Sequence, residues 1–206
     1  MARRLGLASL LCAALALMAA TPVQASHGCG AARSKGARIV VKSKEAVVFT
    51  KGLYTYGCLS SVGRLRRLPD EGAGVDTTAP GVPVLAGRYV AYATAGSGIG
   101  DEFDRLYVYD LRLGRRFLQV SSNFIRAIVL KRNGSVAWLE GSTVDPGDNP
   151  NAPTNQIRKF GNEERQGVVL VTRGAIDPDS LGLSPDRTEV TWTRGGGSAR
   201  YAAPLR

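Results

Sequence analysis

The sequence predicts an all-β fold: consecutive antiparallel β-meander blades, β-propeller-like and small, open or incomplete, after an N-terminal signal helix. Three observations predict it. A Val-x-aromatic pattern recurs four times, at Val47-Val48-Phe49, Val90-Ala91-Tyr92, Val136-Ala137-Trp138 and Val190-Thr191-Trp192. The four valines lie 43, 46 and 54 residues apart, the spacing of one multi-stranded blade per copy. Each copy alternates large apolar residues over a short span, as a half-buried strand does, and no stretch beyond the N-terminal apolar run carries a helical period.

Within a copy, four strands are expected in order. An inner strand comes first, at Arg38–Val41, Val82–Leu85, Phe124–Leu130 and Ser180–Leu183. The Val-x-aromatic strand is second. The third is Leu53–Leu59 in the first copy and the closely similar Leu106–Leu111 in the second. A glycine turn then leads into a basic outer strand, Gly63–Leu68 and Gly114–Leu118. The third copy is looser, with Gln156–Phe160 and Gly167–Val171, and the fourth ends early at Ala199–Ala202. The expected blades cover residues 38–80, 81–121, 122–174 and 175–206.

Two of these segments carry a family resemblance. Leu183-Ser184-Pro185-Asp186-Arg187-Thr188-Glu189-Val190-Thr191-Trp192 resembles the turn-and-strand motif of WD-type and TolB-type propeller repeats, in which a Ser-Pro-Asp turn precedes an apolar strand. Leu106-Tyr107-Val108-Tyr109-Asp110-Leu111 followed by Gly114 is similar to their third strand and its hairpin. The resemblance covers residues 38–206 in outline and is specific in the second and fourth copies. It implies about four blades, where such families close with six to eight. Arg187 stands where their turn usually has glycine. The array is therefore expected as a small ring, an open curved stack, or half of a ring that a second copy completes.

Residues 1–25 read as a cleavable signal peptide. Arg3 and Arg4 precede an apolar run from Leu5 to Ala20, then Thr21-Pro22 and the small-residue site Val23-Gln24-Ala25. The run, about 16 residues, is shorter than the roughly 20 a bilayer core requires. The protein is thus expected to be secreted or extracytoplasmic, with an arm over residues 26–37 and no membrane span after cleavage. Cys12 would leave with the signal, so Cys29 and Cys58 form an even pair, read as a disulfide in an oxidising compartment. Two unpaired buried thiols are the alternative.

The formal charge is +10, about +8 without the signal arginines. Such an excess suits an anionic polymer, but the charges are scattered, no run reaches five basic residues, and no nucleic-acid partner is expected. Ser-His-Asp catalysis and histidine metal sites are nearly excluded, because the one histidine, His27, lies in the arm. Acidic residues gather in three loops. Asp101, Glu102 and Asp104 follow the glycine-rich tip Gly96–Gly100, Asp145, Asp148 and Asn149 form the second loop, and Asp177 and Asp179 the third. Hairpin geometry alone demands such residues, and none has the spacing of a defined calcium loop. No cofactor is expected, calcium being the one alternative. The first two loops are the longest insertions and the candidate binding loops. Phe49, Tyr92, Trp138 and Trp192 share one repeat position, expected to pack blade on blade. Arg66, Arg67, Arg115 and Arg116 on the outer strands read as solvated edge charges.

The leading function is a non-catalytic β-repeat binding module at the cell envelope or outside the cell, for a protein or an anionic polymer. One alternative is a carboxylate-pair hydrolase of an extracellular polymer, assisted or not by calcium. Another is a structural subunit that completes a propeller by pairing with itself, as a homodimer.

Overall fold

Each Val-x-aromatic segment forms the second strand of its own antiparallel sheet. The computed structural model describes residues 28–69, 83–97, 102–122, 124–141, 155–161, 167–171, 176–194 and 197–206. The signal helix falls outside them. The first sheet comprises β1 (Ala37–Lys42), β2 (Ala46–Lys51), β3 (Tyr54–Leu59) and β4 (Leu65–Arg67). The second comprises β5 (Val84–Ala86), β6 (Tyr89–Ser97), β7 (Glu102–Asp110) and β8 (Arg115–Ser122). The third comprises β9 (Ile125–Leu130), β10 (Val136–Gly141), β11 (Asn155–Phe160) and β12 (Val168–Val171). The fourth has three strands, β13 (Gly182–Leu183), β14 (Glu189–Thr193) and β15 (Arg200–Pro204).

In every sheet the strands pair in sequence order, and no sheet closes on itself. The chain is an all-β array of consecutive meanders. Pro83 stays outside β5, since it has no N–H for a ladder. Among the described residues no helix is long and apolar enough to cross a membrane.

Pleating sends alternate side chains of the second strand to opposite faces, and the three cores show which face meets which sheet. Ala46 and Val48 of β2 share a core with β6, β7 and the following β9 and β10. Val47 and Phe49 turn the other way, onto Cys29, Ala31 and Ala32 of the N-terminal 3-10 helix Gly28–Arg33. In the third sheet Val136 and Trp138 belong to the first core, whereas Ala137 and Leu139 join Val190, Trp192 and Leu205 of the fourth. From the second repeat on, the aromatic therefore faces the preceding sheet, and in the first three repeats the residues of the opposite face meet the next. Tyr92 obeys the same rule: its hydroxyl donates to the Pro69 carbonyl, 2.9 Å away at the end of the first sheet.

A leucine after the third strand wedges neighbouring sheets together. The Leu111 N–H donates to the Arg88 carbonyl and the Leu205 N–H to Thr188, each at 2.9 Å, and both leucines are fully buried. Leu111 lies so close over Gly57 that a Cβ there would collide with it. That contact is why β3 carries glycine between Tyr56 and Cys58. Burial of each such large side chain contributes about 1.5–3 kcal/mol.

Candidate functional site

The inner hairpin turns of all four sheets, with the inner strands of the second, third and fourth, surround one cleft of about 710 Å³, within the range of small-molecule sites. Its wall is β5 and the second half of β9, with Leu183 of β13 opposite. Its charges come from the turns: Lys44 and Glu45 before β2, Arg132 before β10 and Arg187 before β14.

Each turn places its charge for a local reason. The Ser43 hydroxyl accepts from the Glu45 and Ala46 N–H groups at 3.2 and 3.0 Å, which closes the first turn tightly. Gly87 turns with φ 61°, and the Glu45 carboxylate and Arg132 guanidinium lie where its Cβ would point, at 3.4 and 3.6 Å. These two groups form an ion pair that links the first sheet to the third. The fourth turn repeats the first in larger form. The Ser184 hydroxyl accepts from the Glu189 N–H at 3.0 Å and donates to the Asp186 carboxylate at 2.6 Å. The Thr188 N–H and hydroxyl also donate to Asp186, at 3.2 and 2.7 Å. Those donors, the Ser184 hydroxyl first, pull the Asp186 carboxyl down to about 2 from 3.8. Arg187, next in the turn, has φ 59°, in the left-handed region that side chains with a Cβ avoid.

A second polar cluster lies inside the protein, between the second and third sheets. The Glu140 carboxylate is 4% exposed and receives the Trp138 indole N–H at 3.0 Å, the Ser122 hydroxyl at 2.5 Å and the Arg158 guanidinium at 3.2 Å. Asp104, 9% exposed and paired in register with Ser122, accepts the Ile125 N–H at 2.6 Å. A buried carboxylate persists only with such partners. The cluster ties β7 through β11 together.

Sequence reasoning located some of these residues. Cys29 and Cys58 are joined, with Cα atoms 5.4 Å apart. Phe49, Tyr92, Trp138 and Trp192 are all buried on the second strands. Each also has a partner directly opposite on the third strand of its own sheet. Phe49 stacks on Tyr56, Tyr92 on Tyr107 and Trp192 on Tyr201, at 5.6, 5.2 and 6.0 Å between centroids, and Arg158 lies over Trp138. Asp104 requires a correction, for it was expected on a loop. The pairing of β6 with β7 extends to Ser97 and Glu102, which carries Asp104 into a strand and under cover. Glu102 begins that strand. Asp101, Asp145, Asp148 and Asn149 lie outside the described residues. In the third acidic loop, Asp177 caps the 3-10 helix Pro178–Ser180 by accepting the Asp179 N–H, a turn role.

The outer-strand arginines Arg66 and Arg67 make contacts within and between sheets. Arg67 lies over the Tyr54 ring at 3.7 Å, and Arg66 crosses the Gly114 turn of the neighbouring sheet. Sequence reading missed the cleft and the Glu140 cluster. The signals were present: a charged or glycine residue recurs three positions before the repeat valine, at Lys44, Gly87 and Arg187, and Glu140 sits two residues past a buried tryptophan on the same face.

No protein-family model matches the chain, and no curated protein does. Among solved structures it is similar to Kluyveromyces lactis Hsv2, at 15% identity and a TM-score of 0.45 over 84% of this chain and 50% of that one. It is similar also to Kuenenia stuttgartiensis hydrazine synthase, at 12% identity and a TM-score of 0.44 over 78% of this chain and 50% of that one. The chain thus spans half the length of each of these structures.

Proposed function

We propose that the chain is an extracytoplasmic, non-catalytic β-repeat binding module that takes its ligand in the cleft between the inner hairpins of its four sheets. The observation that carries this reading is the cleft itself: every sheet contributes to its lining, so the whole array is needed to build it. The Cys29–Cys58 bridge supports an oxidising compartment. The likeness of the Ser184–Trp192 segment to WD-type and TolB-type repeats supports a scaffold whose turns recognise a partner, by analogy of fold alone. Carboxylate-pair hydrolysis draws no support from the three acids buried among the described residues. Asp104, Asp110 and Glu140 are all held by donors of the chain, and none lines the cleft.

Self-association to complete a ring is the weaker reading. The residue after the repeat valine is apolar and faces the next sheet in the first three, at Val48, Ala91 and Ala137. In the fourth it is Thr191, flanked on the same face by Glu189 and Thr193, which makes that face less suited to apolar pairing.

Ala86 of β5 lines the cleft, and an Ala86→Trp variant obstructs part of it. With neutral and acidic envelope polysaccharide fragments as probes, saturable binding by the secreted protein is expected, and its loss in Ala86→Trp at unchanged thermal midpoint. Probes that emerge shortened would overturn the non-catalytic reading, and binding unaffected by Ala86→Trp would move the site elsewhere.

A further inference from the structure

We infer that the cleft recognises an oxyanion, a carboxylate, sulfate or phosphate group carried by its ligand, held by Arg187 and Lys44 and by Arg132 once Glu45 gives way. The inference rests on the cleft being the binding site and names the chemistry of what enters it.

Charge is the first ground. The lining holds three cations, Lys44, Arg132 and Arg187, against the one carboxylate of Glu45. They come from three different sheets, so the fold and not local sequence brings them together. An open cleft lined with one excess sign concentrates ligands of the other.

Glu45 itself is the second ground. Its carboxylate already occupies Arg132 at the mouth of the cleft, in the manner of a ligand's anion. The pair is open to water, with side chains 62% and 38% exposed. Exposed pairs of this kind hold weakly, so an incoming oxyanion can replace Glu45 on the guanidinium, which offers the bidentate geometry that carboxylates and phosphates match.

Arg187 is the third. It occupies a left-handed turn position at φ 59°, and the corresponding Gly87 of the second repeat adopts φ 61° there without a Cβ. Glycine would serve the turn better. A side chain retained against backbone preference, beside a cleft, marks a functional demand on that side chain. The surrounding Ser184–Asp186–Thr188 bonds fix the turn, so the guanidinium is carried on a rigid base.

Titration calorimetry tests the inference with four probes: a galacturonate trisaccharide, a sulfated disaccharide, inorganic phosphate and a neutral trisaccharide, each at low and moderate salt. The acidic probes are expected to bind and the neutral one not, with affinity falling as salt rises. The ranking among the three separates carboxylate, sulfate and phosphate sources. Arg187→Gly is expected to weaken binding about tenfold or more while the thermal midpoint holds or rises. Glu45→Gln is expected to tighten binding severalfold by releasing Arg132. Arg115→Ala, on the outer strand β8, serves as the control and leaves affinity unchanged. Equal binding of the neutral probe, or full affinity in Arg187→Gly, overturns the oxyanion and leaves a cleft-binding module standing. No acidic or neutral probe held tighter than about 1 mM overturns both.

Discussion

The first and fourth sheets end the same stack by opposite means. In the first, the aromatic face of β2 has no preceding sheet, and the chain supplies a substitute. The 3-10 helix Gly28–Arg33 lays Cys29, Ala31 and Ala32 against Val47, Phe49 and Tyr56, and the Cys29–Cys58 bridge fastens it. In the fourth, no sheet among the described residues follows the forward face of β14, and the side chains themselves change. Where earlier repeats have Val48, Ala91 and Ala137, it has Thr191, whose hydroxyl accepts from Arg200 at 2.9 Å. One end is covered and cross-linked; the other is made polar. Both faces of the repeat are apolar in the earlier sheets, so each end requires its own solution: a fastened cap at the start and polar side chains at the fourth sheet.

The sharpest way to break this comparison is to remove the bridge. A Cys29→Ser/Cys58→Ala double variant releases the 3-10 helix, and the loss of loop constraint is expected to cost about 3–4 kcal/mol by chemical denaturation. Amide exchange should rise first in β2 and β3 while β14 keeps its protection. Uniform loss across all four sheets would show that the cap serves the whole array and not its first face.

The third and fourth sheets offer a finer contrast. Trp138 and Trp192 occupy one repeat position, but the Trp138 indole N–H has Glu140 and Ser122 as acceptors. The Trp192 N–H is buried with no acceptor among the described residues, and where the third sheet has Glu140, two residues on, the fourth has Arg194, whose side chain carries no acceptor. Trp→Phe removes the same volume at both sites. Trp138→Phe is expected to cost about 1–3 kcal/mol more than Trp192→Phe, because only the first leaves buried acceptors short of a donor. Equal costs in thermal or denaturant unfolding would mean that volume alone decides.

These contrasts also separate what was legible in the sequence from what was not. The all-β meander was legible because strand alternation and the Val-x-aromatic repeat are local signals, and the even cysteine count pointed to the bridge. Glu140 was not, since its acceptability depends on Ser122, Trp138 and Arg158 arriving from three strands. Asp104 was misplaced because a run of Gly, Ser and Asp reads as a long tip, whereas the ladder from Ala95 to Asp104 continues through part of it. Strand pairing overrode the composition of the turn. The cleft escaped notice for a related reason: Lys44, Arg132 and Arg187 meet only when four inner turns converge. Even so, Arg187 in place of a turn glycine was visible as an anomaly, and the anomaly marked the site.

The smallest expected effect concerns how the two end turns respond to acid. The first is closed by the Ser43 hydroxyl, which does not titrate over the accessible range. The fourth is closed in part by the Asp186 carboxylate, held at about 2 against an ordinary 3.8 by Ser184 and Thr188. A carboxyl with a lowered native value binds fewer protons folded than unfolded, so its stabilising contribution is complete above pH 3.8 and lost as the pH falls through about 2. Because Asp186 lies in open solvent, the effect is local. Carboxyl and amide resonances of Asp186 and Thr188 should titrate with a midpoint near 2, and the turn carrying Arg187 should loosen there while the Ser43 turn does not respond. Asp186→Asn should abolish that titration and leave the fourth turn looser at every pH above about 2, since a neutral amide oxygen replaces a charged acceptor. A midpoint at 3.8 would mean that the three donors do not hold the carboxylate in solution, and the rigid base of Arg187 would go with them.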